Sequence, residues 1–342
     1  MKLTRLFTCI FLISLFCNAQ SLDILNVEKF SAENKNNNIT RVFGSAPPIT
    51  LLVYVLAPEK LIGVNTPFNQ LSNNKSKDFL SNEYQNLPIV GGWHGENRPN
   101  LEKIMYLKPE LIIFWDTELL TQKALQDINT MKINALKVNI DSTENYPEVF
   151  LYLGEVLGKK KRADELYNYS KKEIDELKKF TSTIEKKARV YYAQGDNGLQ
   201  TECDKSFHAE AFILAGAEMV YKCEQKSVVG MVNIDFEQVL KLNPEVIITR
   251  SKNFYDGIYN DKKWTLIDAV KNKRVFLVPD TPFNWLDRPP SFFRILGAHW
   301  LASKFYKETY PYDIDAKIAD FFKVFFYKEL NKEEIKHYFV DR

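Results

Sequence analysis

Tryptophan, histidine and arginine side chains follow a short apolar run near residue 90, in an arrangement that could bind a metal. Residues 87–90 predict a buried strand, and the glycine turn after it leads to Trp93, His94 and, soon after, Arg98. A neutral imidazole is a good ligand for nickel, iron or copper. One protein ligand cannot hold a bare ion tightly, but it can fill an open coordination site on an ion that small molecules already chelate. His94 is therefore our candidate metal ligand, although a lone histidine is more often structural.

Other apolar runs end in side chains of the same kinds. Trp115 and Arg250 each follow a predicted buried strand, and the loop 280–290 is stiffened by prolines. Ligands of open α/β sheets bind beyond the carboxyl ends of the strands. Guanidinium groups pair well with carboxylates, and indole rings can either stack on a flat ligand or fill the core. We predict a pocket with aromatic walls and arginines at its rim, formed by Trp93, His94, Arg98, Trp115, Arg250, Trp285 and Arg288.

One segment of the chain is repeated. Residues 100–116, NLEKIMYLKPELIIFWD, match residues 235–251, DFEQVLKLNPEVIITRS, without a gap. Each copy has a polar N-cap, an acid in the first helical turn (Glu102 or Glu237), a short helix, a proline and a buried strand. A helix that leads into a buried strand, repeated at this distance, predicts two lobes of one design.

The segment between the two repeats predicts a long helix. Residues 159–184 are rich in lysine and glutamate, contain no glycine or proline, and carry a narrow apolar stripe. Such a helix would be about 39 Å long, which suits a strut between lobes as well as a surface helix. We predict an α/β fold with two Rossmann-like lobes joined by one long rigid helix and a ligand cleft between the lobes. The predicted parts are a signal peptide at 1–19, an N-terminal lobe at 20–158, the linking helix at 159–185 and a C-terminal lobe at 186–342.

The first residues predict export. A charged start, a short apolar run and a small residue at Ala19 are typical of a cleaved signal peptide. Cys17 raises the alternative of a lipid anchor, but Phe16 precedes it, where lipid attachment favours a small side chain. The chain has 342 residues and a net charge of +2. Lys2 and Arg5, both in the predicted leader, account for this excess, so the mature chain is near neutral. This balance gives no support to nucleic-acid binding.

Two cysteines remain after the leader. In an exported protein, Cys203 and Cys223 predict a disulfide that closes a small loop and stabilises the fold by about 3 kcal/mol. The alternative is a metal-binding thiolate pair, for which His208 is the nearby histidine.

The order of these features resembles a known family. The chain resembles the helical-backbone (class III) periplasmic binding proteins of ABC importers in its export signal, its two α/β lobes and its helical strut. The segments that carry the resemblance are LEKIMYLKPELIIFW, residues 87–92 and residues 288–306, RPPSFFRILGAHWLASKFY. That family carries iron–siderophore complexes, haem, cobalamin and other metal chelates. The resemblance implies a periplasmic monomer that binds its ligand between the lobes with little hinge motion. It also implies an inner-membrane ABC permease as partner, on whose arginines Glu102 and Glu237 would dock.

The resemblance leaves the ligand open. The expected cargo is a metal chelate of Fe³⁺ or Ni²⁺, either a ferric siderophore-like complex or a nickel chelate, and no covalent cofactor is expected. The turn at 91–93 and the Arg-Pro-Pro at 288–290 resemble the nickel branch. An oxyanion or other non-metal ligand is an alternative. A secreted α/β enzyme is another, but the sequence lacks the G-x-S-x-G, H-E-x-x-H and phosphate-loop motifs.

Overall fold

The computed structural model describes residues 39–67, 70, 74–94, 98–117 and 122–340. The predicted leader, its cleavage site and Cys17 lie outside these residues. No helix in the described part combines the length and the apolar character that a membrane span requires.

The elements of the described part are short, apart from one long helix. The strands are β1 (Val42–Gly44), β2 (Leu111–Trp115), β3 (Asn134–Val138), β4 (Arg189–Ala193), β5 (Gln200–Thr201), β6 (Glu218–Met219), β7 (Val232–Asn233), β8 (Val246–Thr249) and β9 (Val275–Leu277). The α-helices are α1 (Pro47–Leu56), α2 (Asn82–Gln85), α3 (Leu101–Leu107), α4 (Gln122–Met131), α5 (Tyr146–Val156), α6 (Lys160–Thr181), α7 (Glu210–Leu214), α8 (Phe236–Leu242), α9 (Lys252–Gly257), α10 (Asp268–Lys271), α11 (Phe293–Phe305), α12 (Ile314–Phe326) and α13 (Lys332–Ile335). Single turns of 3₁₀ helix connect several of them, and a π-helical turn, Lys336–Val340, follows α13.

The strands form two parallel sheets. One sheet has the order β1-β2-β3, the other has the order β6-β4-β8-β9, and β5 pairs with β7 in a small antiparallel ribbon. The strands of both parallel sheets are mostly buried, as expected for sheets that helices cover. This arrangement confirms the predicted α/β fold.

The two repeated segments fold alike. The N-cap side chains of Asn100 and Asp235 accept hydrogen bonds from the backbone N–H three residues on, at 2.8 and 2.7 Å. Each short helix ends at a residue in the left-handed region, Lys108 at φ 47° and Asn243 at φ 39°. Because both ends of α3 and α8 are built in the same way, the two helices lead into β2 and β8 with the same geometry.

A second device, which the sequence analysis did not detect, holds each repeated helix to its sheet. Arg41 donates a hydrogen bond to the carbonyl of Leu107 at 3.1 Å, and Arg189 donates one to the carbonyl of Asn243 at 3.1 Å. The side chain of Glu110 accepts from the backbone N–H of Arg41 at 3.1 Å, as that of Glu245 does from Arg189 at 3.4 Å. In each lobe an arginine at the start of the first strand, directly before β1 or as the first residue of β4, therefore satisfies carbonyls at the end of the repeated helix.

The long helix α6 packs one face into the protein. Its buried side chains include Leu166, Ile174 and Leu177, as the apolar stripe predicted. The helix begins and ends within three residues of the predicted bounds. The lobe boundaries on either side of it remain our proposal.

Two predicted strands are wrong. The segments 61–64 and 87–90 form only isolated parallel bridges, Val42 to Leu61 and Val64 to Ile89. Pro88 has no N–H to donate to a ladder, which limits pairing along this segment.

Candidate ligand-binding site

The two halves of the chain meet at the carboxyl end of β2. The ring centroids of Trp115, the last residue of β2, and Phe207 are 5.0 Å apart. Close by, the guanidinium of Arg294 donates to the carbonyl of Asp141, which follows β3, at 2.9 Å, and to that of Phe207 at 3.0 Å. The edge of the first sheet where strand ends deliver side chains therefore faces the second half of the chain.

The turn that carries His94 is built by close backbone packing. The backbone N–H of Trp93 donates to the carbonyl of Ser45, directly after β1, at 2.9 Å. Gly91 has φ 78°, in the left-handed region that glycine accepts readily. A Cβ on Gly92 would lie only 2.4 Å from the Ser45 carbonyl oxygen. Glycine is needed here because the turn lies against the end of β1.

Asn65 ties this turn to the sheet. Its amide donates to the carbonyls of Gly44 at 2.8 Å and Gly91 at 3.1 Å, and its oxygen accepts from the Thr50 hydroxyl at 2.7 Å. The side chain is buried. Asn65 therefore positions the residues on either side of the candidate site, a role that sequence reasoning missed because residues 44, 65 and 91 are far apart in the chain.

We expect Asn65→Ala to lower the free energy of unfolding by about 2 kcal/mol, because it leaves buried backbone carbonyls without donors. Asn86→Ala is the matched control, since its amide makes one exposed bond, to the Asn82 carbonyl at 2.7 Å. Denaturant unfolding of both variants measures the difference. Equal midpoints for the two variants would contradict the positioning role of Asn65.

His94 is half-buried, and its charge state follows from that position. Burial lowers the pKa of His94 to about 4, against the opposing effect of a backbone hydrogen bond at Ser45. The ring is therefore neutral at pH 7. A neutral imidazole offers a nitrogen lone pair, which is the property that a metal ligand needs.

The tryptophans predicted as walls are largely held by the protein itself. The indole N–H of Trp93 donates to Asp127 at 3.1 Å, and its ring lies 4.8 Å from that of Phe114. The indole N–H of Trp115 donates to Asp141 at 2.7 Å, and this side chain is 5% exposed. Trp93 keeps some exposed surface beside His94, whereas Trp115 mainly joins the two halves.

Trp285 is a core residue in this structure, in contrast to the prediction that it lines the pocket. It is fully buried, its N–H donates to the Thr281 carbonyl at 3.0 Å, and its ring lies 5.1 Å from that of Phe339. The proline-rich loop turns this side chain inward onto the C-terminal helices, so Trp285 is not retained in the site.

Two of the predicted arginines are exposed. Among the described residues, no carboxylate oxygen lies within 4.0 Å of the Arg98 or Arg250 guanidinium. Arg250 follows β8, and its charge acts on the pKa values of both Tyr192 and Asp287. Arg98 and Arg250 thus have charge available for an anionic group.

Arg288 differs, because it belongs to a buried ion cluster formed by Glu202, His208, Asp287 and Arg288. Its guanidinium lies 2.5 Å from a Glu202 oxygen and 3.3 Å from an Asp287 oxygen. Burial raises the pKa of Asp287, but Arg288 and His208 outweigh this effect and hold it at about 2. Arg288 was predicted as a rim arginine, and in this structure its charge is balanced by the carboxylates of Glu202 and Asp287.

The same cluster contains a group of potential metal ligands. One ligand atom each of Glu202, His208 and Asp287 lie within 4.8 Å of one another, and all three residues are buried. The Arg288 guanidinium, however, already supplies the cation that the two carboxylates need. The role of His208 in the cluster had no sequence signal, since position 287 is far from positions 202 and 208 in the chain.

A small cavity lies between the two halves of the chain. It has a volume of about 100 Å³ and is lined by Asn65, Thr66 and Tyr84 from one half and by Phe283 from the other, among other residues. Pockets for small-molecule ligands are typically about 300–1,000 Å³. This cavity is therefore too small to enclose a ligand of that size.

The remaining predicted residues are placed as follows. Cys203 and Cys223 form a disulfide, in agreement with the predicted pairing rather than with a metal-binding thiolate pair. Glu102 and Glu237 are exposed in the first turns of α3 and α8. The repeated fold thus presents both glutamates in equivalent surroundings.

The sequence profile of a periplasmic binding protein family matches residues 71–282. A solved ABC transporter solute binding protein from Sulfurospirillum deleyianum is 52% identical, with a TM-score of 0.87 over 89% of this chain and 95% of that one. The molybdate-binding protein MolA of Haemophilus influenzae is 25% identical over 304 residues, or 81% of this chain and 83% of that protein. The structure of Helicobacter pylori CeuE in complex with Ni-His is 17% identical, with a TM-score of 0.67 over 88% of this chain and 94% of that one, and this likeness concerns the fold alone.

Proposed function

The chain belongs to the class III periplasmic binding proteins, the substrate-binding components of ABC importers, and we propose that its ligand is a transition-metal chelate bound beside His94 between the two lobes. In this proposal the imidazole fills an open position on a metal that small molecules already hold. The exposed Arg98 and Arg250 would attract the carboxylates of such a chelate.

The proposal rests mainly on the neutral imidazole of His94. It stands in a turn whose glycines allow close backbone approach, and burial holds its pKa at about 4. A neutral imidazole can bind either iron or nickel, so His94 does not distinguish between the two metals. The binding experiment below identifies the metal. Family membership also supports a transport role rather than catalysis.

An oxyanion is the second candidate. The MolA relative is named for molybdate, and Arg250 is an exposed cation at a strand end. An oxyanion would depend on Arg250 and would need no metal bond to His94. The two candidates therefore differ in which substitution removes binding.

We expect His94→Ala to weaken chelate binding at least about tenfold, or roughly 1.4 kcal/mol. Calorimetric titration with the Ni²⁺–L-histidine complex and with a ferric catecholate complex measures the effect. His337→Ala is the control, because His337 is exposed near the C-terminus. Unchanged chelate affinity in His94→Ala would remove His94 from the site. The same titration with molybdate tests the oxyanion, which would be favoured if molybdate bound to the original protein and to His94→Ala but not to Arg250→Gln.

The remaining parts of the proposal concern cell biology. We propose export to the periplasm, with cleavage of the leader after Ala19, and delivery of the ligand to an inner-membrane permease. Glu102 and Glu237 would make the permease contacts, one from each lobe. The proposed units are the lobes 20–158 and 186–342, joined by the helical region 159–185.

A further inference from the structure

A strap of eight residues, 224–231, covers the buried ion cluster. The disulfide between Cys203 and Cys223 fixes the chain just before the strap. The pairing of β7 with β5 fixes the chain just after it. Within the strap, Lys226 and Ser227 are exposed, and Val229 is 38% exposed.

Two members of the ion cluster hold the middle of the strap. Arg288 donates to the carbonyl of Val229 at 2.9 Å, and a ring nitrogen of His208 lies 2.9 Å from the carbonyl of Val228. A Cβ on Gly230, which has φ 80°, would lie 2.4 Å from a Glu202 oxygen. The strap therefore lies directly on the cluster, and its backbone carbonyls contact both Arg288 and His208.

The hydrogen-bonding capacity of Arg288 is largely used within the protein. Besides the Val229 carbonyl, its guanidinium donates to the side chains of Gln194 at 3.2 Å and Glu202 at 2.5 Å. A ligand that displaced any of these bonds would leave an acceptor of the cluster or the strap without its donor, so the Nε and Nη2 groups of Arg288 are committed to the protein.

The cluster lies at the edge of the sheet where ligands are expected. Gln194 directly follows β4, and Arg250, whose charge acts on Asp287, directly follows β8. The ring of His208 also lies 4.4 Å from that of Phe207, whose ring contacts Trp115 of the first sheet. The strap is thus next to the junction of the two lobes.

We propose that Arg288 is a positioning residue that latches the strap 224–231 onto the buried cluster, so that the strap forms the edge of the ligand cleft on the C-terminal lobe. Arg250, not Arg288, then provides the positive charge of this lobe to the ligand. The statement about the ligand rests on the proposed function, whereas the latch itself does not.

Hydrogen exchange and trypsin cleavage test the latch without any ligand. Lys226 is exposed within the strap and is a trypsin site. Arg288→Lys keeps the positive charge but loses the forked geometry of the guanidinium. In this variant we expect the strap amides to exchange about tenfold faster and trypsin to cut at Lys226 about tenfold faster. A factor of about ten corresponds to the loss of one charge-assisted hydrogen bond. Exchange in β4 serves as the global control and should not change.

Arg250→Lys is the matched variant, and its strap should behave as in the original protein. If Arg288→Lys does not fold, Gly230→Ala replaces it, because the added methyl group must push the strap away from Glu202 while Arg288 is intact. The proposal would be overturned if the strap amides of Arg288→Lys exchanged as slowly as those of the original protein. It would also be overturned if Arg250→Lys accelerated strap exchange as much as Arg288→Lys does.

Titration with the Ni²⁺–L-histidine complex separates the latch from the proposed function. Faster strap exchange in a protein that binds neither this chelate nor the ferric one would support the latch while the chelate proposal fails. Weaker chelate binding in Arg288→Lys with full strap protection would show direct contact with the ligand and would overturn the latch.

Discussion

Cells that carry Glu102→Ala together with Glu237→Ala are expected to lose import of the ligand, while the purified double variant keeps its ligand affinity. Both carboxylates are exposed in the first turn of a helix whose two ends are built alike in each lobe. If docking buries each glutamate against a permease arginine, removing one partner of such a charge pair costs about 2–5 kcal/mol, and the double variant would lose two pairs.

Uptake of the radiolabelled metal by intact cells, compared with calorimetry on the purified protein, measures the two properties separately. Glu148→Ala with Glu333→Ala is the matched control, because both carboxylates are exposed and lie outside the repeated helices. Normal uptake in the Glu102 and Glu237 double variant would exclude the docking role.

We expect Glu173→Ala to lower the free energy of unfolding by about 3 kcal/mol, the lower end of the cost of breaking a buried ion pair. Glu173 on α6 is buried and lies 2.7 Å from Lys317 on α12 and 3.0 Å from His299 on α11. Without the Glu173 carboxylate, Lys317 keeps only Glu176 as a carboxylate partner among the described residues. This cluster joins the long helix to the C-terminal helices.

Asp175→Ala is the control on the same helix. Its pair with Lys171 is exposed, so we expect a cost below about 0.5 kcal/mol. Denaturant unfolding followed by far-UV circular dichroism measures both variants. Similar midpoints for Glu173→Ala and Asp175→Ala would contradict the role of the buried cluster.

The same cluster predicts a dependence on pH. Burial raises the pKa of Glu173, but His299 and Lys317 outweigh this effect and hold it at about 2, below its ordinary value of 4.5. The stabilisation by Glu173 is therefore fully present above about pH 4.5 and is lost as the pH falls towards 2. The difference in stability between the original protein and Glu173→Gln should shrink over that window.

The fold was predictable where its signals are local. N-caps at Asn100 and Asp235, the prolines after the repeated helices and the apolar runs act within a few residues, so the sequence predicted the helix-to-strand units and the α/β class. The segment 87–90 was wrongly predicted as a strand. Its apolar residues fit a strand, but apolar character alone does not show how many hydrogen bonds Pro88 removes from the pairing.

The site was predictable only in part, because its decisive contacts join distant positions. The exposure of Arg250 and the half-burial of His94 agree with the roles expected of them, although those roles remain predictions. Arg288 and Trp285 looked equivalent to the other candidates in sequence, but the first is neutralised by Glu202 and the second is turned into the core. Hydropathy and spacing carry no information about such pairings.

Native mass spectrometry of the protein released from the periplasm, with elemental analysis of the same sample, tests the central claim most directly. The proposal predicts nickel or iron in the sample together with a small organic mass, and loss of both in His94→Ala. A metal-free organic ligand, or a bound oxyanion retained by His94→Ala, would contradict it.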